Sequence, residues 1–142
     1  MTDLPGLDGI LDLEYLHIGA DRVVASWTVG PQHLQPFGIV HGGAYCAAHE
    51  STASIGSQVW LGTTGTAVGV NNNTDFLRQA GTGEVITTTA VPMHQGRKQQ
   101  LWRIESTKAD GKAVAIGQVR IQNLDTPPSD DVIDGIKKFI SK

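Results

Sequence analysis

The apolar and polar positions fall into strand-like blocks interrupted by one helix-like block. Val23-Val24-Ala25-Ser26-Trp27-Thr28-Val29 is β-branched and aromatic, a composition that suits a pleated, half-buried surface. Residues 11 to 29 are read as two strands with a turn at Asp21-Arg22. Residues 30 to 43 contain Pro31, Pro36, Gly38, Gly42 and Gly43, which oppose regular structure and predict a loop. Residues 43 to about 60 carry Ala44, Ala47, Ala48, Ala53 and Ile55 and no proline, and predict one long helix ending at Gly62. Its small side chains let another backbone element come close.

Residues 66 to 124 are read as four strands. Gly81-Thr82-Gly83 and Gln95-Gly96 break them, and Asp110-Gly111 is a strong hairpin turn. After that turn Ala113, Ala115, Gly117, Val119 and Ile121 alternate with increasingly polar neighbours, as in a sheet packed on one face. Beyond Thr126-Pro127-Pro128, the helical spacing of Val132, Ile133, Ile136 and Ile140 predicts a short terminal helix. The order is strand, strand, helix, four strands. That order predicts an α+β fold, an antiparallel sheet packed on one long helix. The whole of 1–142 is read as a single domain, with 125–142 its tail or short helix.

Charge and composition narrow the partners. The net charge is -3, and no dense Lys/Arg run exists, so nucleic acid is not an expected partner. The single Cys46 excludes an internal disulfide. The start, Met1-Thr2-Asp3-Leu4-Pro5-Gly6, lacks a basic segment followed by an apolar one, and no apolar run reaches membrane-spanning length. A cytoplasmic protein with no membrane partner is expected. On that basis the sequon Asn72-Asn73-Thr74 is read as chance.

The chemistry concentrates in Gln35-Pro36-Phe37-Gly38-Ile39-Val40-His41-Gly42-Gly43, followed by Glu50 and Ser54. Gly42 and Gly43 stand where loop becomes helix. The first turn of a helix offers unpaired N–H groups and the positive end of the dipole, which would polarise a carbonyl aimed there. Glycine lets a substrate approach that backbone. His41 and Gln35 bring hydrogen-bonding groups to the same loop. Glu50 is a carboxylate on a helix otherwise destined for the core, which requires a reason. Ser54 follows one turn later on the same face. Taken singly, Glu50 is more simply a solvated helical residue and His41 a loop cap; the combination is what is specific.

Spacing adds a constraint. His41 and Glu50 are nine residues apart, or ~13 Å along a helix. Both cannot touch one carbonyl from the same chain. If they cooperate, Glu50 must come from a neighbouring subunit, which predicts a two-fold dimer with composite sites.

The pattern Gln-Pro-Phe-Gly-x-x-His-Gly-Gly, with an acid nine positions after the His, resembles the hotdog-fold acyl-CoA thioesterases of the PaaI-like, hydroxybenzoyl-CoA thioesterase type. Asn73-Thr74-Asp75-Phe76-Leu77-Arg78-Gln79-Ala80 resembles the family strand after the helix, where Leu-Arg-Pro-Ala is usual and Gln79 here replaces the Pro. Pro92-Met93-His94-Gln95-Gly96-Arg97-Lys98 and Asp110-Gly111-Lys112 resemble the next strand with its turn and the final hairpin. The similarity covers about residues 10 to 124.

The resemblance implies a hotdog fold, an antiparallel sheet wrapped round one long central helix, in a dimer or tetramer. It implies hydrolysis of an acyl-CoA or aryl-CoA thioester to free acid and coenzyme A. Glu50 would be nucleophile or general base, and Gly42 N–H would polarise the carbonyl. His41 and Gln35 would orient that carbonyl, and Ser54 would position water or the carboxylate. Gly96, Arg97 and Lys98 would lie by the coenzyme A phosphates. No cofactor or metal is expected, since coenzyme A is part of the substrate. A non-catalytic acyl-CoA-binding protein on the same fold is the alternative. The acyl group (aryl, dihydroxynaphthoyl or medium-chain) stays open, as does the choice between dimer and tetramer.

Other chemistries are excluded by pattern. His17, His33, His41, His49 and His94 show no metal spacing, and His49-Glu50 lacks the second His of a zincin. There is no G-x-S-x-G elbow and no Walker or dinucleotide loop.

Overall fold

The computed structural model describes residues 3–140. A short helix α1 (Gly6–Ile10) precedes strands β1 (Glu14–Ile18) and β2 (Val23–Thr28). A single 3-10 turn, Pro31–His33, leads into the long helix α2 (Gly42–Leu61). Strands β3 (Thr66–Phe76), β4 (Val85–Gln95), β5 (Gln99–Thr107) and β6 (Ala113–Leu124) follow, and α3 (Asp130–Ile140) closes the described chain. The six strands form one antiparallel sheet in the order β1-β2-β4-β5-β6-β3. This is the hotdog arrangement, and α2 packs against β2, β3, β4, β5 and β6. The expected α+β class, long helix, four later strands and terminal helix are all present; α1 has no counterpart in the sequence expectations.

The sequence explains why α2 lies so close to the sheet. Its buried stripe is Ala44, Tyr45, Ala48, His49, Thr52, Ala53, Gly56 and Ser57, which is the i, i+3/i+4 spacing of one helix face built mainly from small residues. The helix stops at Gly62, whose φ of 62° suits a residue without a Cβ. The Asp110-Gly111 turn forms as the sequence predicts: Gly111 has φ 83°, and Asp110 Oδ1 accepts from Lys112 N–H at 2.9 Å.

Two apolar clusters flank the middle of α2. The first joins Ala44, Tyr45 and Ala48 to Trp27, Val29, Val40 and Ile86. The second joins Ala53 to Val23, Ala90, Trp102, Ile104, Val119 and Ile121. Between them lies a buried polar layer containing His49, Thr88 and Ser106. Helix and sheet come close at Gly56, where a Cβ would sit 2.5 Å from the Trp102 ring and 2.9 Å from Val23.

That contact makes Gly56 intolerant of size. Gly56→Val overpacks a fully buried Trp and is expected to destabilise the fold by about 1–3 kcal/mol or more. A urea titration checks it: the midpoint should fall with an unchanged slope, and an unshifted midpoint would refute the close approach.

Candidate active site

Several polar groups of the loop before α2 are bonded within the protein. Fully buried His33 accepts from Gly30 N–H at Nδ1 (2.9 Å), which leaves Nε2–H to donate to the Leu11 carbonyl at 2.7 Å. Its ring packs against Trp27 with centroids 4.8 Å apart. The His33 carbonyl in turn accepts from His41 N–H at 2.8 Å, and the Ala80 carbonyl from Val40 N–H at 2.9 Å. Gln35 is half-buried and its Oε1 accepts from Phe37 N–H, so its Nε2 hydrogens are not used by that bond.

His41 is the N-cap of α2. Its Nδ1 accepts from Gly43 N–H at 2.8 Å, so the proton of the neutral ring sits on the exposed Nε2. Ala44 N–H bonds back to the His41 carbonyl at 2.9 Å. Gly42 N–H is the first-turn donor that neither bond uses. A Cβ on Gly42 would stand 2.6 Å from the Phe76 ring, so glycine is required by packing as well as by approach. Beside Gly42 a cleft of about 410 Å³ is lined by Gln35, Ile39, Val40, Tyr45 and Phe76. The volume falls in the range of small-ligand pockets. Burial, with Glu84 nearby, pushes the Tyr45 phenol up to about 12, so it stays neutral as part of the cleft wall.

Glu50 is half-buried in the middle of α2. Its Oε2 accepts from Asn72 Nδ2 at 3.2 Å. Its Oε1 occupies the space above Gly69, where any Cβ would overlap it. Asn72 is tied to the same helix by a second bond, Nδ2 to the Cys46 carbonyl at 2.9 Å. These contacts depend on a bulge in β3: Gly69 pairs with Ile121 and Asn71 with Arg120, so Val70 is an extra residue. A bulge of one residue reverses the alternation that follows it. It places Asn72, Thr74 and Phe76 on the side facing α2, where a regular strand would have placed Asn71, Asn73 and Asp75.

Behind Glu50 lies His49, fully buried. Its Nε2 is 3.0 Å from Ser106 Oγ and its Nδ1 3.4 Å from Thr74 Oγ1. Burial pulls this imidazole down to about 4, so it is neutral at physiological pH.

The structure places the candidate residues in three groups. Gln35, His41 and Gly42 come together at the start of α2. Glu50 and Ser54 lie farther along the helix; eight residues separate Gly42 from Glu50, or ~12 Å. Gly96, Arg97 and Lys98 form the β4–β5 turn beside the other half of α2. Buried Asn123 holds that turn, its Nδ2 donating to the Gly96 carbonyl at 2.8 Å, while Gln100 links Asn123 to the Ser57 carbonyl at 3.0 and 3.3 Å. Arg97 and Lys98 are exposed. The three groups therefore do not meet within one chain. Asn72, Gly69, Phe76, Tyr45 and the polar contacts of His49 escape sequence reasoning. The run Asn71-Asn72-Asn73 was the available signal, because Asn is depleted in strands. Among the described residues no three His, Cys, Asp or Glu are placed to hold a metal ion, and no helix is long and apolar enough to cross a membrane.

Residues 37–115 match the family model described as the thioesterase superfamily. The 1,4-dihydroxy-2-naphthoyl-CoA hydrolase of Escherichia coli (strain K12) is 34% identical over 104 residues, covering 73% of this chain and 76% of that protein. The crystal structure of S. sahachiroi AziG is 47% identical with a TM-score of 0.83, covering 86% of this chain and 98% of AziG. Thioesterase HI1161 of Haemophilus influenzae is 28% identical with a TM-score of 0.78, covering 83% of this chain and 82% of that one.

The buried neutral imidazole makes stability depend on pH. The folded pKa of His49 lies below the ordinary 6.5, so the unfolded chain binds the proton first as pH falls. Stability contributed by keeping His49 neutral is present above about 6.5 and is lost as pH drops toward about 4. The loss is on the order of 2–3 kcal/mol. Urea midpoints measured between pH 7 and pH 4.5 should fall less steeply for His49→Gln than for the wild type. Identical slopes would contradict a neutral buried His49.

Proposed function

The chain belongs to the thioesterase superfamily and is a thioester hydrolase, and from that premise we propose that it cleaves acyl-coenzyme A thioesters at a site shared between two subunits. The observation that carries this reading is the separation on one helix of two complementary groups. Gly42 N–H is a donor the helix does not use, and Glu50 is a carboxylate eight residues away. A hydrogen-bond donor for the carbonyl oxygen and a base or nucleophile for its carbon are what acyl transfer requires.

A two-fold axis beside α2 makes the two groups neighbours. If the partner's helix runs antiparallel, Glu50 of the partner subunit faces Gly42. The sheet supplies a route to such a pairing. β3 is an edge strand of 11 residues without proline, and an uncovered edge of that length invites another strand. Antiparallel β3–β3 pairing would extend the sheet and lay the two α2 helices side by side. The same operation carries the partner's Arg97 and Lys98 toward the loop that holds Gln35. Those two cations are then placed to meet the phosphates of coenzyme A, with Gly96 letting the turn bend close.

In this scheme the thioester carbonyl accepts from Gly42 N–H, assisted by the Nε2–H of His41 and the Nε2 of Gln35. Polarisation draws the carbonyl electrons toward oxygen. Glu50 of the partner subunit either attacks the carbon, giving a mixed anhydride that water then opens, or takes a proton from an attacking water. Ser54 lies one turn from Glu50 and is placed to hold that water. In the first route the carbon–sulfur bond breaks as the anhydride forms, and the water that opens the anhydride supplies the proton for the thiolate. In the second it breaks as the tetrahedral adduct collapses, and Glu50 returns its proton to the sulfur. Either way coenzyme A leaves as thiol and the free acid remains. No cofactor enters this scheme. The cleft of Ile39, Val40, Tyr45 and Phe76 is assigned to the acyl group.

Free-thiol release from a panel of aryl and aliphatic acyl-CoA substrates tests the activity. Glu50→Ala is expected to lose at least about a hundredfold in kcat/KM. Full activity in that variant would remove Glu50 from the scheme, and tight binding with no turnover by the wild type would favour a binding protein. Shared sites have their own test. A mixed dimer of Glu50→Ala and His41→Ala chains contains one intact site and should regain up to about half the wild-type rate. No recovery in verified mixed dimers would place each site within one subunit.

A further inference from the structure

The polar layer between the two apolar clusters is a continuous line of hydrogen bonds that ends on Glu50. Trp27 Nε1 donates to Thr88 Oγ1 at 3.2 Å, and Thr88 Oγ1 lies 2.8 Å from Ser106 Oγ. Ser106 Oγ lies 3.0 Å from His49 Nε2, and His49 Nδ1 lies 3.4 Å from Thr74 Oγ1. Thr74 Oγ1 donates to Asn72 Oδ1 at 2.8 Å, and Asn72 Nδ2 donates to Glu50 Oε2 at 3.2 Å. Thr88, Ser106 and His49 are fully buried. The line crosses β2, β4, β5, α2 and β3 in turn.

The donors and acceptors can be assigned from both ends. An indole N–H only donates, so Trp27 fixes the first bond. At the other end, Asn72 faces two acceptors, the Cys46 carbonyl and the Glu50 carboxylate. Its amide nitrogen must point at them, so Oδ1 points at Thr74 and accepts the Thr74 hydroxyl proton. Thr74, having given its only proton, can only accept from His49, which puts the ring proton on Nδ1. His49 Nε2 is then bare and accepts from Ser106, and Ser106 accepts from Thr88. Every hydroxyl gives one proton and takes one bond, all in the same direction. A protonated His49 would break this order, because Nε2–H and the Trp27 N–H would leave one hydroxyl proton between them without an acceptor. The depression of the His49 pKa by burial agrees with the neutral ring.

We propose that Asn72, Thr74 and His49 are positioning residues for Glu50: the one-way chain from Trp27 locks the Asn72 amide so that its N–H, and not its carbonyl, faces the carboxylate. This rests on the reading of Glu50 as the reacting carboxylate. Without Thr74 the Asn72 oxygen loses the hydroxyl that donates to it, and the amide is held on its nitrogen side alone, by the Cys46 carbonyl and Glu50. The locked amide holds Oε2, while Gly69 leaves room for Oε1. Chains of hydrogen bonds in a dry interior strengthen one another, which suits this line to fixing an orientation across the core. Displacing a reacting group by about 1 Å can cost on the order of a hundredfold in rate.

The test compares Thr74→Val, Thr74→Ser, Asn72→Ala and Glu50→Ala on an acyl-CoA the wild type turns over, with ring-nitrogen NMR of His49 at pH 7 alongside. Thr74→Val keeps the side-chain shape and should lower kcat about tenfold, with KM within about twofold and little change in melting temperature. Thr74→Ser should recover most of the loss, and Asn72→Ala should lose about tenfold or more. The NMR spectrum should show His49 neutral with the proton on Nδ1. Unchanged kcat in Thr74→Val and Asn72→Ala, beside an inactive Glu50→Ala, would overturn the positioning role and leave Glu50 in place. An active Glu50→Ala would instead overturn the reading of Glu50 and the proposal with it. A proton on Nε2 of His49 would reverse the chain and overturn its direction whatever the kinetics.

Discussion

A helix can lie close on the concave face of a sheet only if its contact stripe is small. The rest of this structure follows from that packing constraint. Ala44, Ala48, Ala53 and Gly56 bring α2 down until the Trp102 ring and Val23 touch the helix backbone at Gly56. At that distance the side chains of α2 reach the strands directly. His49 can bond to Ser106 on β5 and lie near Thr74 on β3, and Glu50 can rest over Gly69. A helix with large residues on this stripe would stand farther off, and none of these polar contacts would form.

Close packing also explains how buried polar groups are tolerated. An unpaired hydroxyl or imidazole inside a protein costs on the order of 1–3 kcal/mol. Here the polar layer is confined between two apolar clusters, and each of its members finds a partner within the layer. Thr52, also buried on α2, satisfies its hydroxyl on its own helix through the Ala48 carbonyl at 2.9 Å. Apolar burial supplies the bulk of the stabilisation, while the polar line gives the centre of the molecule a direction. That direction points from Trp27, through the fully buried Thr88, Ser106 and His49, to the half-buried Thr74, Asn72 and Glu50.

Much of the fold was legible in the residues. The Asp110-Gly111 turn, the alternation after Ala113, the small-residue helix and the Ile-rich tail each report a local preference, and each formed where expected. The start of the site was legible for the same reason, because His41-Gly42-Gly43 marks a helix entry by local chemistry alone. What stayed hidden depends on distant pairing. Nothing local in Val70 announces an extra residue, because a bulge is defined by its partner Arg120 and Ile121 positions on β6. That bulge decides that Asn72 and Thr74 face α2. His49 is likewise silent in sequence, since its partners are 25 and 57 residues away. The short α1 escaped because its five residues contain two glycines and too little apolar periodicity to register.

The separation of Gly42 and Glu50 on one rigid helix makes the central claim directly measurable. A crystal structure with a non-hydrolysable acyl-CoA analogue that keeps the carbonyl would show which groups meet it. The carbonyl oxygen should lie about 2.7–3.1 Å from Gly42 N–H of one subunit, with Glu50 of the partner subunit facing the carbonyl carbon. A carbonyl that touches neither group, or that meets Gly42 with no partner carboxylate nearby, would contradict a shared thioesterase site.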